Sequence, residues 1–152
     1  MKKRGHAVVV ATYSPQDFFR AYVESHEIEY RCFHKSYRFD PTPVWQLFKT
    51  ITLIKPHVVI TFLRTPSIYA EIVKVFKPSL NLIVSERAGV DLNGFSTRDY
   101  LASYGHLLAT HATTNSIDYR ERMIQAVPAL SKMSTVIYNC LLYTSPSPRD
   151  RG

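Results

Sequence analysis

The sequence predicts an α/β fold centred on a Rossmann-like, doubly wound parallel sheet. Several short runs rich in β-branched residues are continuously apolar rather than alternating, as in strands that are covered on both faces. Segments with helical periodicity separate these runs. Strands that alternate with helices at this spacing are typical of βαβ crossovers, which place parallel strands side by side.

Six strands are predicted along the chain. Four are well-marked apolar runs at residues 7–12, 58–62, 80–85 and 135–138. Two shorter candidates cover residues 29–33 and 109–114. Gly5 precedes the first strand and has the position of a glycine that ends a helix.

Five helices are predicted between the strands, over residues 15–25, 43–54, 66–76, 98–108 and 116–127. Thr42 before Pro43, and Thr65 before Pro66, have the pattern of a capping residue followed by proline at the first helical position. Ser116 is the expected cap of the last helix.

Length and composition favour one domain and limit the classes of function. The chain has 152 residues, of which 45% are apolar, enough for one core. Its apolar runs are far shorter than the roughly 20 residues of a membrane-spanning helix, and the basic start lacks a signal-peptide core, so we expect a cytoplasmic protein. The net charge of +7 favours an anionic partner (nucleotide diphosphate, acidic lipid or nucleic acid) or a solvated basic surface. Cys32 and Cys140 have no metal or disulfide spacing.

The last thirteen residues differ from the rest of the chain. Residues 140–152, CLLYTSPSPRDRG, have neither strand nor helix periodicity. They fit a flexible linker, but CLLYTSPSPRD also looks like the translation of a transposase-type sequencing adapter, a string that ends many reading frames from metagenomic contigs. We therefore expect residues 1–139 to be one partial natural domain and residues 140–152 to be a non-native tail.

Ligands of doubly wound sheets bind at the C-terminal ends of the strands, so the loops after the predicted strands are the candidate sites. Glu86 and Arg87 follow one strand and could bind acceptor hydroxyls or a phosphate, or form a loop ion pair. Arg64 and Thr65 follow another strand. A guanidinium beside a helix N-terminus suits an anionic ligand, and simple surface exposure is the alternative.

A third loop carries Asn115 and Ser116 at the start of the last predicted helix. Their side chains and backbone amides could donate hydrogen bonds to a ligand, although capping alone also explains Ser116. No metal or nucleophilic site is predicted. His106 and His111 are five residues apart rather than on one helical face, and we interpret both as ordinary surface or core residues.

Residues 30–39, YRCFHKSYRF, interleave aromatic rings and cations. Such a cluster suits single-stranded nucleic acid or an anionic membrane surface, and a plain strand followed by a loop is the alternative. The side chains predicted to contact a membrane or polyanion are Arg31, Lys35, Tyr37 and Arg38.

Five segments resemble GT-B fold glycosyltransferases of family 4. They are KRGHAVVV (3–10), KPHVVI (55–60), IVSER (83–87), TTNSIDYRE (113–121) and VIYN (136–139). They occur in the family's order and span residues 2–139. The Gly-rich unit that usually opens such folds is not found in the sequence.

The resemblance implies the N-terminal, acceptor-side domain of a retaining glycosyltransferase. Such an enzyme moves a sugar from a nucleotide-sugar donor to a glycan acceptor, here expected to be lipid-linked, in cell-surface polysaccharide or lipopolysaccharide assembly. In the family, a first strand with its Gly-rich loop would precede residue 2 and the donor-binding domain would follow residue 139. The fragment alone is therefore expected to be inactive, without a catalytic residue, metal or cofactor of its own.

The expected partners are the acceptor, the C-terminal GT-B domain and the inner face of the cell membrane, rather than nucleic acid. The alternative function is a stand-alone basic module that binds nucleic acid or anionic lipid. Another GT-B-shaped enzyme, such as a sugar-nucleotide epimerase, would share the fold but should differ at Glu86 and Arg87.

Overall fold

Strands and helices alternate along the residues that the computed structural model describes, which are 4–13, 19–33, 40–87 and 96–138. The strands are β1 (Val9–Thr12), β2 (Glu29–Cys32), β3 (Val59–Phe62), β4 (Leu82–Glu86), β5 (His111–Thr114) and β6 (Ser134–Val136). The helices are α1 (Arg20–Ser25), α2 (Thr42–Ile54), α3 (Arg64–Phe76), α4 (Thr97–Gly105) and α5 (Ile117–Ala126). Short 3₁₀ turns at His106–Leu108 and Pro128–Lys132 follow α4 and α5. This order confirms the predicted α/β fold, including both of the shorter candidate strands.

All pairing between described strands is parallel, but the strands form two sheets rather than one. β1 pairs with β2, and the second sheet has the order β3-β4-β5-β6. Val9 lies opposite Glu29 in the first sheet, and Val59 lies opposite Leu82 in the second. Each strand of the larger sheet therefore pairs with the next strand along the chain.

Two predicted helix starts are wrong, for local reasons. Thr42 was expected to cap α2, but it is the first helical residue, and its backbone amide donates to Asp40 Oδ1 at 2.8 Å. The carboxylate of Asp40 therefore accepts a hydrogen bond at the start of α2, the role expected of the Thr42 hydroxyl. Thr65 was expected to cap α3, but the helix already begins at Arg64 and Leu63 occupies the cap position without a side-chain hydrogen bond. Ser116 does cap α5, because its Oγ accepts from the amide of Tyr119 at 3.2 Å.

Helices α3 and α5 cover one face of the larger sheet. The Thr61 hydroxyl on β3 meets Ser67 of α3 at 2.9 Å, and Arg120 of α5 donates to the Ser134 carbonyl on β6. Side chains alternate along a strand, so Leu82, Val84 and Glu86 share this face. The apolar core lies there, with Leu82, Val84 and Ala112 of the sheet packed in one cluster with Ala70, Val73 and Met123 of the helices. None of the helices in the described ranges is long and apolar enough to cross a membrane.

Among the described strands, β1 and β3 each hydrogen-bond to a neighbour on one side only. In β3, the amides of Val59 and Leu63 donate to carbonyls of the β4 segment, so the amides of Ile60 and Phe62 point away from it. The Thr12 carbonyl accepts from Phe33. Since backbone direction alternates, the backbone groups of Val9 and Ala11 likewise point away from β2. The described sheets thus have two open edges inside what the sequence predicted as one sheet.

Amide hydrogen exchange should distinguish the two sides of β3. Ile60 and Phe62, whose amides point to the open edge, should exchange roughly tenfold or more faster than Val59 and Thr61, whose amides point to β4. Residues of one strand share the same local unfolding, so Val59 and Thr61 are internal controls in a residue-resolved NMR measurement. Equal protection at all four amides would mean that the edge of β3 is already paired.

Candidate functional site

Polar side chains gather where the carboxyl ends of β3, β4 and β5 lie side by side. Glu86 is the last residue of β4, Arg64 begins α3 directly after β3, and Ser116 caps the helix after β5. This is the edge at which doubly wound sheets bind ligands. Three of the candidate loops from the sequence therefore do converge.

The centre of this region is a buried histidine between two buried carboxylates. His106 Nδ1 lies 2.6 Å from Glu71 Oε1 of α3, and His106 Nε2 lies 3.5 Å from Glu86 Oε1 of β4. All three side chains are at most 4% exposed. A buried carboxylate is tolerated when a positive charge and hydrogen bonds compensate its lost hydration. We call Glu71, Glu86 and His106 the buried acid–base cluster.

The two carboxylates keep His106 protonated. Burial alone disfavours the imidazolium, but the hydrogen bond to Glu71 and the attraction of Glu71 and Glu86 outweigh it and raise the pKa of His106 to about 9. The imidazolium of His106 is therefore the positive member of this cluster near neutral pH. It links α3, the end of β4 and the turn that follows α4.

The hydrogen bonding of this cluster is uneven. The Glu71 contact has the length of a strong charge-assisted hydrogen bond, whereas the Glu86 contact at 3.5 Å is an ion pair without good hydrogen-bond geometry. Among the described residues, both carboxylate oxygens of Glu86 and Nε2 of His106 lack a hydrogen-bond partner. Buried oxygens in that state call for a donor, and an internal water molecule is the usual one.

Gly105 leaves the space that Glu71 occupies. A Cβ atom added at Gly105 would lie 2.6 Å from Glu71 Oε2, well inside van der Waals contact. Gly105 has ordinary helical dihedral angles, so the requirement here is for space and not for backbone freedom. The glycine lets α4 approach α3 closely enough for His106 to reach the Glu71 carboxylate.

A second ion pair lies beside the cluster. A guanidinium nitrogen of Arg64 makes a close contact with Asp99 Oδ1, which ties the start of α3 to the start of α4. Asp99 also closes a capping box with Ser96, whose amide donates to Oδ2 at 2.7 Å. Partial burial acts against the charge of Asp99, but the hydrogen bonds from Ser96 and Arg64 prevail and hold its pKa below the usual range. Nε of Arg64 is buried and has no acceptor among the described residues.

Tyr119 of α5 joins the ion pair to the buried acid–base cluster. Its side chain is 2% exposed, and burial, reinforced by the charge of Glu86, raises its pKa to about 12. Arg64 acts in the opposite direction on the same hydroxyl. Tyr119 therefore lies within electrostatic range of both Arg64 and Glu86 and remains a neutral phenol across the physiological range.

The backbone before Arg64 is strained. Leu63 has φ 72° and ψ 160°, a combination that is otherwise almost confined to glycine. Strain of this kind costs about 1–3 kcal/mol and is frequent where a chain must present a side chain in a fixed direction. Here it turns the chain sharply from β3 into α3 and sets the position of Arg64.

The remaining predicted residues lie around this centre. Arg87 donates from Nε to Ser85 Oγ at 2.9 Å, and its guanidinium lies 5.7 Å from the centre of the Phe62 ring. Asn115 and Ser116 are half-buried between β5 and α5. Thr65 is exposed in the first turn of α3. Arg64 lies on the α3 side of the sheet with Glu86, whereas Arg87 lies on the opposite face with Ser85 and Phe62, and Asn115 follows β5 at the same edge.

Of the predicted membrane or polyanion residues, the structure describes one. Arg31 on β2 is paired with Glu29, with 2.6 Å between Nε and Oε1, so its charge is largely compensated. Lys35, Tyr37 and Arg38 lie outside the described residues, as does the proposed tail at 140–152. No group of three or more His, Cys, Asp or Glu side chains within the described ranges could hold a metal ion.

The sequence interpretation missed Glu71, His106 and Asp99. His106 is a core residue, as expected, but it is charged and lies at the centre of the candidate site. One signal was present: Glu71 falls on the same side of α3 as Ser67, Ala70 and Val73, all of them buried. A carboxylate on the buried stripe of a helix needs a cationic partner.

Comparison with solved structures gives matches that include Alr3699/HepE from Anabaena. Its complex with UDP and glucose matches with a TM-score of 0.71 and 18% identity, over 93% of this chain and 40% of that chain. The complex with UDP-glucose has a TM-score of 0.72, 19% identity and coverages of 93% and 39%. The complex with UDP has a TM-score of 0.67 with the same identity and coverages as the UDP-glucose complex.

At this identity the likeness establishes the fold, a Rossmann-like α/β half of the GT-B type. The chain spans about 40% of the length of the protein it matches. No protein-family model matches the sequence, and no curated protein matches it significantly.

The buried acid–base cluster makes stability depend on pH in the alkaline range. The pKa of His106 is higher in the folded state, about 9, than its ordinary 6.5, so the stabilisation is complete below pH 6.5 and is lost as the pH rises through 9. This difference corresponds to roughly 3 kcal/mol in the free energy of unfolding. Urea denaturation between pH 6 and 9.5 measures it. The His106→Gln variant should lose this pH dependence and His111→Gln should keep it; an unchanged slope in His106→Gln would contradict the assignment.

Gly105→Ala should destabilise the protein by about 1–3 kcal/mol, because the added methyl group displaces the Glu71 carboxylate from His106. Urea denaturation of a double-mutant cycle with Glu71→Ala isolates this contact. Once the Glu71 carboxylate is absent, the Gly105→Ala substitution should cost much less. Additive costs for the two substitutions would show that Gly105 is required for some other reason.

Proposed function

We propose that this chain is the acceptor-side half of a nucleotide-sugar-dependent glycosyltransferase of the GT-B type. The observation that carries the proposal is the arrangement at the C-terminal edge of the sheet. Two guanidinium groups lie at the ends of neighbouring strands there, Arg64 on the α3 side of the sheet and Arg87 on the opposite face, and the amide of Asn115 follows the next strand. The match to a protein solved with UDP and glucose supports a nucleotide-sugar enzyme.

The chemistry of the edge suits an acceptor that carries both hydroxyl groups and phosphate. Arginine binds phosphate oxygens through paired N–H groups, and asparagine donates to and accepts from hydroxyls. Glu86 acts indirectly. Its charge, with that of Glu71, holds His106 protonated, and the contact with His106 fixes the end of β4 from which Arg87 projects. A lipid-linked glycan with a phosphate linkage combines these features. This supports the family 4 assignment and a role in cell-surface polysaccharide assembly on the cytoplasmic side of the membrane.

The donor nucleotide sugar would bind a second domain, and transfer with retention would take place between the two. The open edges of β1 and β3 support a further feature of the complete enzyme. One more parallel strand between them would convert the two described sheets into a single sheet with the order β2-β1-strand-β3-β4-β5-β6. This is the pattern of a doubly wound sheet, in which chain order reverses on either side of the first strand.

The stand-alone binding module has less support. The charge of Arg31, the described member of its predicted surface, is compensated by Glu29. The residues at the carboxyl edge account for a ligand site without the 30–39 segment.

The test is an NMR titration of the purified chain with glucose 1-phosphate, a probe that joins a sugar to a phosphate. Backbone amide shifts should concentrate at Arg64, Arg87 and Asn115. The Arg87→Gln variant should bind at least about tenfold more weakly, since a hydrogen bond to a charged group contributes roughly 1.5–3 kcal/mol. Arg122→Gln on α5 is the matched control, because Arg122 pairs with Asp118 on the exposed helix surface.

UDP-glucose at the same concentration should leave these amides largely unshifted, since its nucleotide would be bound by the other domain. Equal shifts with UDP-glucose would make this edge a donor site and contradict the acceptor assignment. Shifts confined to other residues, or an undiminished affinity in Arg87→Gln, would remove the proposed site altogether.

A further inference from the structure

The outward side of α3 is apolar. The helix buries Ser67, Ala70, Glu71 and Val73 against the protein, and its solvent side should then be polar. Instead the large residues that point outward are all apolar. They are Ile68, Ile72, Val75 and Phe76, with exposed fractions of 39%, 40%, 55% and 71%.

The neighbouring helix extends this surface. α4 lies beside α3, since Arg64 pairs with Asp99 and Glu71 pairs with His106. Its outward side and the following 3₁₀ turn expose Leu101, Tyr104 and Leu108 at 68%, 57% and 42%. We call these three residues and the four of α3 the apolar face.

The size of the apolar face is unusual for a surface in water. Seven large side chains at these exposures present on the order of several hundred Å², the range in which an exposed patch marks an interaction surface. The folded core does not require apolar residues on the outward sides of α3 and α4, because the opposite sides of both helices already cover the sheet and the buried acid–base cluster.

The exposed charges of helices α2, α3 and α4 are of one sign. Helices α2, α3 and α4 contain only two acidic residues: Glu71 is buried against His106, and Asp99 is paired with Arg64. Cations occur along the same layer and at its ends. They are Lys49, Lys55, Lys74, Lys77 and Arg98. The surface thus combines exposed apolar side chains with cations that form no ion pair with an acidic residue of the described ranges.

Aromatic rings accompany these cations. Trp45 is 56% exposed and stacks on Phe48, with Lys49 lying 5.1 Å from the Trp45 ring centre and Lys77 lying 5.0 Å from that of Phe48. Tryptophan and lysine are the residues that settle at the boundary between lipid headgroups and acyl chains.

We propose that the apolar face is a membrane-contact surface that docks on an anionic phospholipid bilayer. The apolar side chains would enter the headgroup boundary while the surrounding cations meet lipid phosphates. A second copy of the chain is a poor occupant, because a symmetric dimer would bring the same cations together without acidic partners. The proposal concerns a different surface from the 30–39 segment and does not rest on the proposed acceptor site.

Vesicle co-sedimentation of the full chain tests the proposal. Binding to vesicles of equal parts phosphatidylglycerol and phosphatidylcholine should exceed binding to pure phosphatidylcholine by at least about tenfold and should weaken with added salt. Trp45 is the single tryptophan of the chain, so a blue shift of its fluorescence should accompany binding.

The double variant Ile72→Asp/Leu101→Asp should lower vesicle binding at least about tenfold, since it places two charges in the proposed contact. Tyr22→Asp is the matched control, because Tyr22 is 64% exposed on α1, away from the apolar face. It should bind like the unaltered chain. Circular dichroism and urea denaturation establish whether each variant is folded. If the Ile72→Asp/Leu101→Asp variant does not fold, the Ile72→Ser/Leu101→Ser variant is tested in its place.

Three results would overturn the proposal. The first is vesicle binding that the folded double variant retains, and the second is an equal loss in Tyr22→Asp. The third is a chain that does not bind vesicles but forms a dimer in sedimentation equilibrium. If the same double variant disrupts that dimer, the apolar face is a contact between two copies of the chain.

Discussion

The contact between His106 and two buried carboxylates holds the proposed ligand edge of this domain in place. Glu71 comes from α3, Glu86 from the end of β4, and His106 from the turn that follows α4. Breaking either contact would leave an uncompensated charge in an environment that cannot hydrate it, a large penalty in a protein of ordinary stability. Three elements that hydrophobic packing alone would allow to slide are therefore fixed relative to one another.

A rigid cluster has a specific use at the proposed binding edge. Arg64 is positioned from two sides, by the strained turn at Leu63 and by the pair with Asp99. Arg87 is directed by Ser85 and the Phe62 ring. Side chains held in this way lose little conformational freedom when a ligand arrives, so more of the interaction energy appears as affinity.

The sequence predicted the fold better than the site because the two are encoded over different distances. Apolar runs and helical periodicity are local, and they located every strand and helix of the described residues. Cap positions failed where a neighbour acted in place of the expected residue, as Asp40 did for Thr42. The central contact of the site joins Glu71 to a histidine 35 residues further along, and no local pattern marks such a pair. Arg64, Glu86 and Ser116 were predicted as site candidates because a topological rule, rather than a motif, selects the ends of parallel strands.

The division of the sheet has a consequence for how the chain folds. Within each sheet, every strand pairs with the next strand along the chain, so β1 with β2 and then β3 through β6 can form from contacts of short sequence separation. Such pairings form early, whereas closing long loops is slow. The two sheets therefore make natural folding units that can develop side by side. If a further strand joins them, its insertion would be the late and slow event. Until then the unpaired edges would remain available for association with other chains, and chaperones would be needed most at that stage.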